Sequence, residues 1–326
     1  MTAAARAPGP VALSCGDPAG IGPELAAKAW DRLRDSCPFI WIGDPAHLPQ
    51  GTPVAELSDP SDAAAACSGA LPVLPLRFPA PVRPGIPDSA NAPMVVAAIE
   101  RAVDLVRTGA AAALCTAPIS KKVLIDGADF AYPGHTEFLA ALARVDRVVM
   151  MLASDRLRVV PATIHIALSE VPCALTPDLL RATIEITERD LRNRFGIARP
   201  RLAVAGLNPH AGEGGAMGHE ELDWIAPLID RMRGDGHDLT GPHPADTLFH
   251  AAARAHYDAA IAMYHDQALI PIKTLDFDTG VNVTLGLPFV RTSPDHGTGF
   301  DIAGQGTARP DSLIAALEMA RDLAAP

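Results

Sequence analysis

Paired cysteines, a basic surface and long apolar runs are all missing from this chain of 326 residues. Its five cysteines (Cys15, Cys37, Cys67, Cys115 and Cys173) lie far apart, form no C-x-x-C pair and are odd in number. Neither a thiolate zinc knuckle nor a disulfide framework is indicated, and a reducing, cytoplasmic location is expected. Lysine and arginine number 27 against 38 aspartates and glutamates, a net charge of −11. The field of the whole molecule therefore repels nucleic-acid backbones and anionic lipid, and no nucleic-acid partner is expected. No stretch approaches the ~18 consecutive apolar residues of a membrane span. The segment MTAAARAPGP has one arginine and no apolar run before Val11, so neither a membrane span nor an export signal is expected. Both standard phosphate loops are absent too. The first strand leads into Gly16-Asp17-Pro18-Ala19-Gly20-Ile21-Gly22-Pro23-Glu24, which lacks the G-x-G-x-x-G register, and the glycines from Gly212 to Gly218 miss it at Met217. No G-x-x-x-x-G-K-[ST] occurs, so a Rossmann or P-loop site is not signalled.

What is present is a 48% hydrophobic chain, long enough for two domains or one large α/β unit. Short apolar runs alternate with helical patterns. Strands are predicted at Val11–Cys15, Phe39–Ile42, Ala111–Cys115, Val148–Leu152, Leu157–Ile164, Arg201–Leu207, Ala259–Met263 and Val281–Leu285. Helices are predicted at Pro23–Arg34, Pro93–Arg107, Pro177–Phe195, Glu220–Arg233, Asp246–Ala255 and Ser312–Leu323. The alternation reads as α/β with a mostly parallel sheet. Six prolines between Gly69 and Asn91 forbid a regular helix there and predict an extended surface excursion.

Three histidines, His165, His210 and His265, each follow a predicted strand, and the carboxyl ends of strands form the ligand crevice of open α/β sheets. Taken singly, a strand-end histidine is usually a hydrogen-bonded structural group; the agreement of three favours a divalent cation. Asp246 either caps the helix beginning near Thr247 or supports that cation. Lys273, Asn282 and Arg291 are candidates for an anion clamp, against the alternative of ordinary solvated side chains. His135 and Thr136 open a helix, either as a phosphate seat or as a capped turn. His219, His237, His243, His250 and His256 are read as surface residues. The run His296–Pro310 is too rich in small and polar residues to form a core face and suits wrapping a cofactor.

Six segments together resemble the 4-hydroxythreonine-4-phosphate dehydrogenase family of pyridoxal phosphate biosynthesis: the Gly16–Glu24 turn, Pro133-Gly134-His135-Thr136-Glu137, Asn208-Pro209-His210-Ala211-Gly212-Glu213, Gly241–Thr247, Tyr264-His265-Asp266-Gln267 and Asp295-His296-Gly297-Thr298-Gly299. The likeness spans nearly the whole chain. It implies two discontinuous α/β/α domains around a cleft, similar to isocitrate and isopropylmalate dehydrogenases, and a homodimer with active sites at the subunit interface. It also implies that His165, His210 and His265 bind the metal, with ligands drawn from both subunits, and that His135, Thr136, Lys273, Asn282 and Arg291 hold a phosphorylated substrate. The glycine-rich run resembles an adenine-wrapping loop, implying NAD or NADP at Asp295, His296, Gly297, Gly299 and Asp301. Imidazole donors suit zinc, then cobalt, better than magnesium. The implied reaction oxidises 4-phosphooxy-L-threonine to a β-keto acid that loses carbon dioxide, with Asp246, Lys273 or a cation-bound water accepting the proton. Sister enzymes acting on threonate or erythronate phosphate, and a non-catalytic metal or metabolite binder, are the competing expectations. A relative acting on an aromatic cis-dihydrodiol is disfavoured by the phosphate-clamp residues. One departure from the family pattern, Ile166-Ala167-Leu168-Ser169 in place of a leucine–proline sequence, leaves the ligand at His165 intact.

Overall fold

The structure is a computed structural model that describes residues 9–325; most of the segment in which no export signal was expected lies outside them. Twelve strands occur among the described residues: β1 (Val11–Ser14), β2 (Phe39–Gly43), β3 (Val54–Glu56), β4 (Leu71–Pro75), β5 (Ala113–Thr116), β6 (Val149–Ala153), β7 (Arg158–Pro161), β8 (Leu202–Ala205), β9 (Leu239–His243), β10 (Ala259–Ala262), β11 (Val281–Leu285) and β12 (Arg291–Pro294). The chain divides into two compact units, residues 9–146 with 287–325, and residues 147–286.

In the first unit the strand order is β3-β4-β2-β1-β5-β12, and neighbouring strands are parallel, with Val11 opposite Phe39 on one side and Ala113 on the other. Every residue of β1, β2 and β5 is buried. That is why these strands read as unbroken apolar runs instead of an alternation: helices cover both faces of a parallel sheet. The helix Gly22–Leu33 starts with Pro23 in its first turn and Glu24 near its positive end, both favourable there. Helices Ala92–Arg107 and Asp311–Ala324 pack on the strands beside it.

In the second unit the order is β11-β6-β7-β10-β8-β9. β6 runs antiparallel to both of its neighbours, while β7, β10 and β8 are mutually parallel. The core is built on Leu152, Val159, Ala203, Ala260 and Ile272. Helix Pro177–Asn193 is capped by Thr176, whose hydroxyl accepts from Leu179 N–H at 3.2 Å.

The α/β class and most predicted elements hold, with corrections. Strands β3, β4, β9 and β12 were not predicted. β4 lies inside the proline-rich stretch, with Leu71, Val73 and Leu74 buried; proline forbids a helix interior but its fixed φ suits extended backbone, so that part is core and not surface. The predicted helix at 220–233 begins as a wide π-type turn, Glu221–Ile225, before Ala226–Gly234. The one at 246–255 is two short turns, Ala245–Leu248 and Ala251–Arg254. His250 caps the second by accepting from Ala253 N–H, and His237 pairs with Glu188, so neither is a bare surface group.

Gly16 closes the turn after β1 with φ +69°, and a Cβ there would lie 2.4 Å from the Pro118 carbonyl oxygen. Gly51, at φ +88°, faces open space. Gly16→Ala is expected to cost about 1–3 kcal/mol and more than Gly51→Ala, measured by urea unfolding; equal losses would show that the close approach to Pro118 is not what requires the glycine.

Candidate active site

His165, His210 and His265 follow β7, β8 and β10, three adjacent parallel strands, so all three leave the same edge of the second unit's sheet. His165 has φ +54°, and His265 is the first residue of the helix His265–Leu275. Their ring centroids are 5.8 Å apart with planes tilted by 42°. They line a cavity of ≈ 310 Å³ together with Thr163, Ile164, Tyr264 and Asp266. Nδ1 of His265 lies 2.7 Å from Asp266 Oδ1, which leaves Nε2 as its free ligating atom, the arrangement common around protein-bound cations. Gln267 ties the strand ends together, its Oε1 accepting from Met263 N–H at 2.7 Å and its Nε2 donating to the Gly206 carbonyl at 2.8 Å. His210 is exposed on a separate turn. Among the described residues no three His, Cys, Asp or Glu side chains converge as a metal site. One chain thus brings two of the three expected donors together. Two imidazoles beside a carboxylate fit a divalent cation as an incomplete set.

Asp246 is exposed in the first turn of Ala245–Leu248, where Pro244 holds the cap position, so it is not the helix cap that the sequence suggested. Lys273 lies in the last turn of His265–Leu275, not in a loop, with Nζ 5.8 Å from the Phe277 ring centroid. Asn282 sits on β11 with a buried Oδ1 that has no hydrogen-bond partner among the described residues.

In the first unit, His135 and Thr136 open the helix His135–Ala143, whose N-terminus has no side-chain cap. Arg291 begins β12, is 3% exposed, and donates from Nη2 to Thr116 Oγ1 at 2.7 Å. Burial lowers the Arg291 pKa to about 10, so it stays charged at neutral pH. Nε2 of His135 is buried and has no hydrogen-bond partner among the described residues. Burial, then the charges of Arg291 and Lys121, push its pKa well below the usual imidazole value. Lys121, first residue of the Ser120-capped helix Lys121–Ala128, packs against Gly134, where a Cβ would lie 3.8 Å from its Nζ. Uncapped helix N–H groups, a neutral imidazole and two cations, with the Glu137 carboxylate in the same first turn, are groups of the kind that can hold an anion. Thr116 and Lys121 escaped the sequence reading; the sole signal for Lys121 was its place at the start of a capped helix.

The glycine-rich run packs on the first turn. Ile21 N–H donates to the Thr298 carbonyl at 2.9 Å. The buried carboxylate of Glu24 accepts from Gly306 and Ala308 N–H, while Lys28 donates to Glu24 and to the carbonyls of Gly306 and Ala308. These contacts form a wall of a cavity of ≈ 970 Å³, lined by Gly20, Asp31, His47, Pro84, Gly304 and Gly306 among others. Asp295, His296, Gly297, Gly299 and Asp301 are not among its lining residues; the later glycines Gly304 and Gly306 are.

Residues 35–320 match the family model for the pyridoxal phosphate biosynthetic protein PdxA. This chain belongs to the PdxA family. It is 68% identical over 318 residues to the 4-hydroxythreonine-4-phosphate dehydrogenase of Ruegeria sp. (strain TM1040), covering 98% of each chain. It is 53% identical to the protein of that name from Caulobacter vibrioides, covering 97% of this chain and 98% of the other. The crystal structure of the Klebsiella pneumoniae 4-hydroxythreonine-4-phosphate dehydrogenase superposes with TM-score 0.88 at 38% identity, covering 98% of this chain and 99% of that one. A terephthalate 1,2-cis-dihydrodiol dehydrogenase from Burkholderia xenovorans is more distant, with TM-score 0.65 at 27% identity over 96% of this chain and 97% of that one. The PdxA protein described here is therefore an oxidoreductase.

The depressed His135 pKa has a sign that can be measured. The folded state keeps this ring neutral where the unfolded chain binds a proton, so its contribution to stability is present above the unfolded pKa and is lost as pH falls. Below about pH 6.5 the stability attributable to His135 should fall by about 1.4 kcal/mol per pH unit. Urea unfolding of wild type and His135→Asn across this range isolates it. Parallel pH profiles for the two proteins would contradict the assignment.

Proposed function

We propose that this PdxA protein catalyses the NAD- or NADP-linked oxidation of 4-phosphooxy-L-threonine to 2-amino-3-oxo-4-phosphooxybutanoate, which loses carbon dioxide to give 3-amino-2-oxopropyl phosphate in pyridoxine 5′-phosphate biosynthesis. The observation that carries the reading is the anion seat of His135, Thr136 and Arg291. A protein of net charge −11 can hold a small phosphate only where positive charge is concentrated, and Arg291 is buried and steered by Thr116. His135, neutral at pH 7, offers a hydrogen bond and not a charge; Thr136 adds a hydroxyl and Lys121 a point charge. Lys273 and Asn282 are the remaining proposed substrate contacts.

His165 and His265 would hold the divalent cation, with Asp266 fixing the tautomer of His265. When bound, the cation supplies Lewis acidity at the hydroxyl being oxidised, and zinc, then cobalt, suits the imidazole donors better than magnesium. Asp246 and Lys273 are the proposed proton acceptors. A nicotinamide cofactor would supply the hydride acceptor, and the ≈ 970 Å³ cavity walled by Glu24 and Lys28 has the size to accept its nucleotide end. His210 would complete the metal site from a second copy of the chain, making the working form a homodimer. Six of the eight large exposed apolar side chains found among the described residues, Ile166, Leu168, Met217, Leu222, Ile270 and Phe277, belong to the second unit, as a surface that meets another copy requires. All five cysteines are free thiols, which supports a reducing, cytoplasmic setting.

The deciding assay follows NADH absorbance with 4-phosphooxy-L-threonine and, in parallel, with 4-phosphoerythronate. Faster turnover of the hydroxy acid would transfer the protein to the sister activity, and no turnover of either by the cation-loaded protein would make it a binder. Arg291→Ala is expected to raise KM for the phosphorylated substrate about 10- to 100-fold, with a smaller effect on kcat. An unchanged KM would remove Arg291 from the phosphate seat.

A further inference from the structure

The turn that carries His210 is held by unusual means. Five consecutive residues after β8 have left-handed backbone: His210 (φ +51°), Ala211 (+52°), Gly212 (+81°), Glu213 (+43°) and Gly214 (+64°). Three of them carry a Cβ, and left-handed geometry costs each about 1–2 kcal/mol. Such a run persists only where its surroundings over-determine it. The ring of His210 makes no hydrogen bond among the described residues and is exposed, so the conformation of this residue is not held by its own side chain.

The restraint comes from one buried carboxylate. Glu221, 3% exposed, starts the π-type turn, a geometry that often marks functional sites. Its Oε1 accepts from Asn208 N–H at 2.8 Å, and its Oε2 accepts from Asn208 Nδ2 at 2.9 Å. The same amide donates to Glu220 Oε2 at 2.6 Å. The carboxylate also fills the space beside two glycines: a Cβ on Gly212 would lie 2.8 Å from Oε2, and one on Gly206 would lie 3.1 Å from Oε1. Asn208 is equally confined, since a Cβ on Gly218 would lie 2.3 Å from its Nδ2. Glu221 therefore fixes the residue at which the left-handed run begins.

We propose that Glu221, acting through Asn208, is a positioning residue that presents the His210 imidazole to the divalent cation. This rests on the functional reading above. It predicts that Glu221→Gln, which keeps the side chain's shape but replaces an acceptor oxygen with a donor facing Asn208, weakens cobalt(II) binding by the full-length protein about 10- to 100-fold, the range expected for a partner that orients a ligand. Calorimetry and the visible absorption of bound cobalt(II) read the effect without turnover. In a His210→Ala background the same substitution should cause no further loss, because the two act on one ligand. Asn208→Ala serves as the second variant should Glu221→Gln fail to fold, with the same expectation. Unaltered affinity and spectrum in the folded variant, or an equal loss with and without His210, would overturn the proposal while leaving the functional reading intact. Cobalt binding that is absent in wild type, or indifferent to His210→Ala, would overturn the reading and this inference with it.

Discussion

A parallel strand covered on both faces has no side chain to spare for chemistry, so its reactive groups must come from the residues just past its end. The placement of the three histidines in the second unit follows from that constraint. β7, β10 and β8 lie side by side and point the same way, and strands in a sheet are about 4.8 Å apart. Residues that follow them therefore emerge within reach of one another. His165 and His265 make use of this directly, with ring centroids at 5.8 Å. His210 emerges from the third strand of the set and is exposed on its left-handed turn.

Charge imposes the second constraint. The molecule is strongly acidic, and the first unit answers locally with Arg291, Lys121 and the positive end of a helix around one neutral histidine. Neutrality of His135 follows first from its burial and then from the charges of Arg291 and Lys121. The same unit carries no G-x-G-x-x-G turn; there a wall of the large cavity is made by Glu24 and Lys28 gripping the backbone at Gly306 and Ala308.

Much of this was legible in the sequence, for identifiable reasons. β1, β2, β5 and β10 are short apolar runs because they are wholly buried, and the helices at Pro23 and Pro177 announce themselves through proline in the first turn and, for the latter, a threonine cap. β4 was hidden by its prolines, and the helix carrying Lys273 by Pro271 inside it, a residue that usually ends helices. The three histidines could be named from strand-end position, and the phosphate contacts from family likeness. The backbone handedness at His210 could not be read, because Ala211 and Glu213 carry no local preference for it and one histidine does not signal a run, and the buried role of Glu221 depends on contacts with Asn208, Gly206 and Gly212 that no spacing reveals.

The proposed cation site is shared, with His165 and His265 from one chain and His210 from another. The most direct measurement mixes two inactive variants, His165→Ala and His210→Ala, under conditions that exchange subunits, and follows cobalt(II) binding and NADH formation. A shared site leaves one intact constellation in each mixed dimer, so the mixture should recover about a quarter of wild-type activity and site occupancy. If all three donors belonged to a single chain, every site in the mixture would lack one of them and nothing would return.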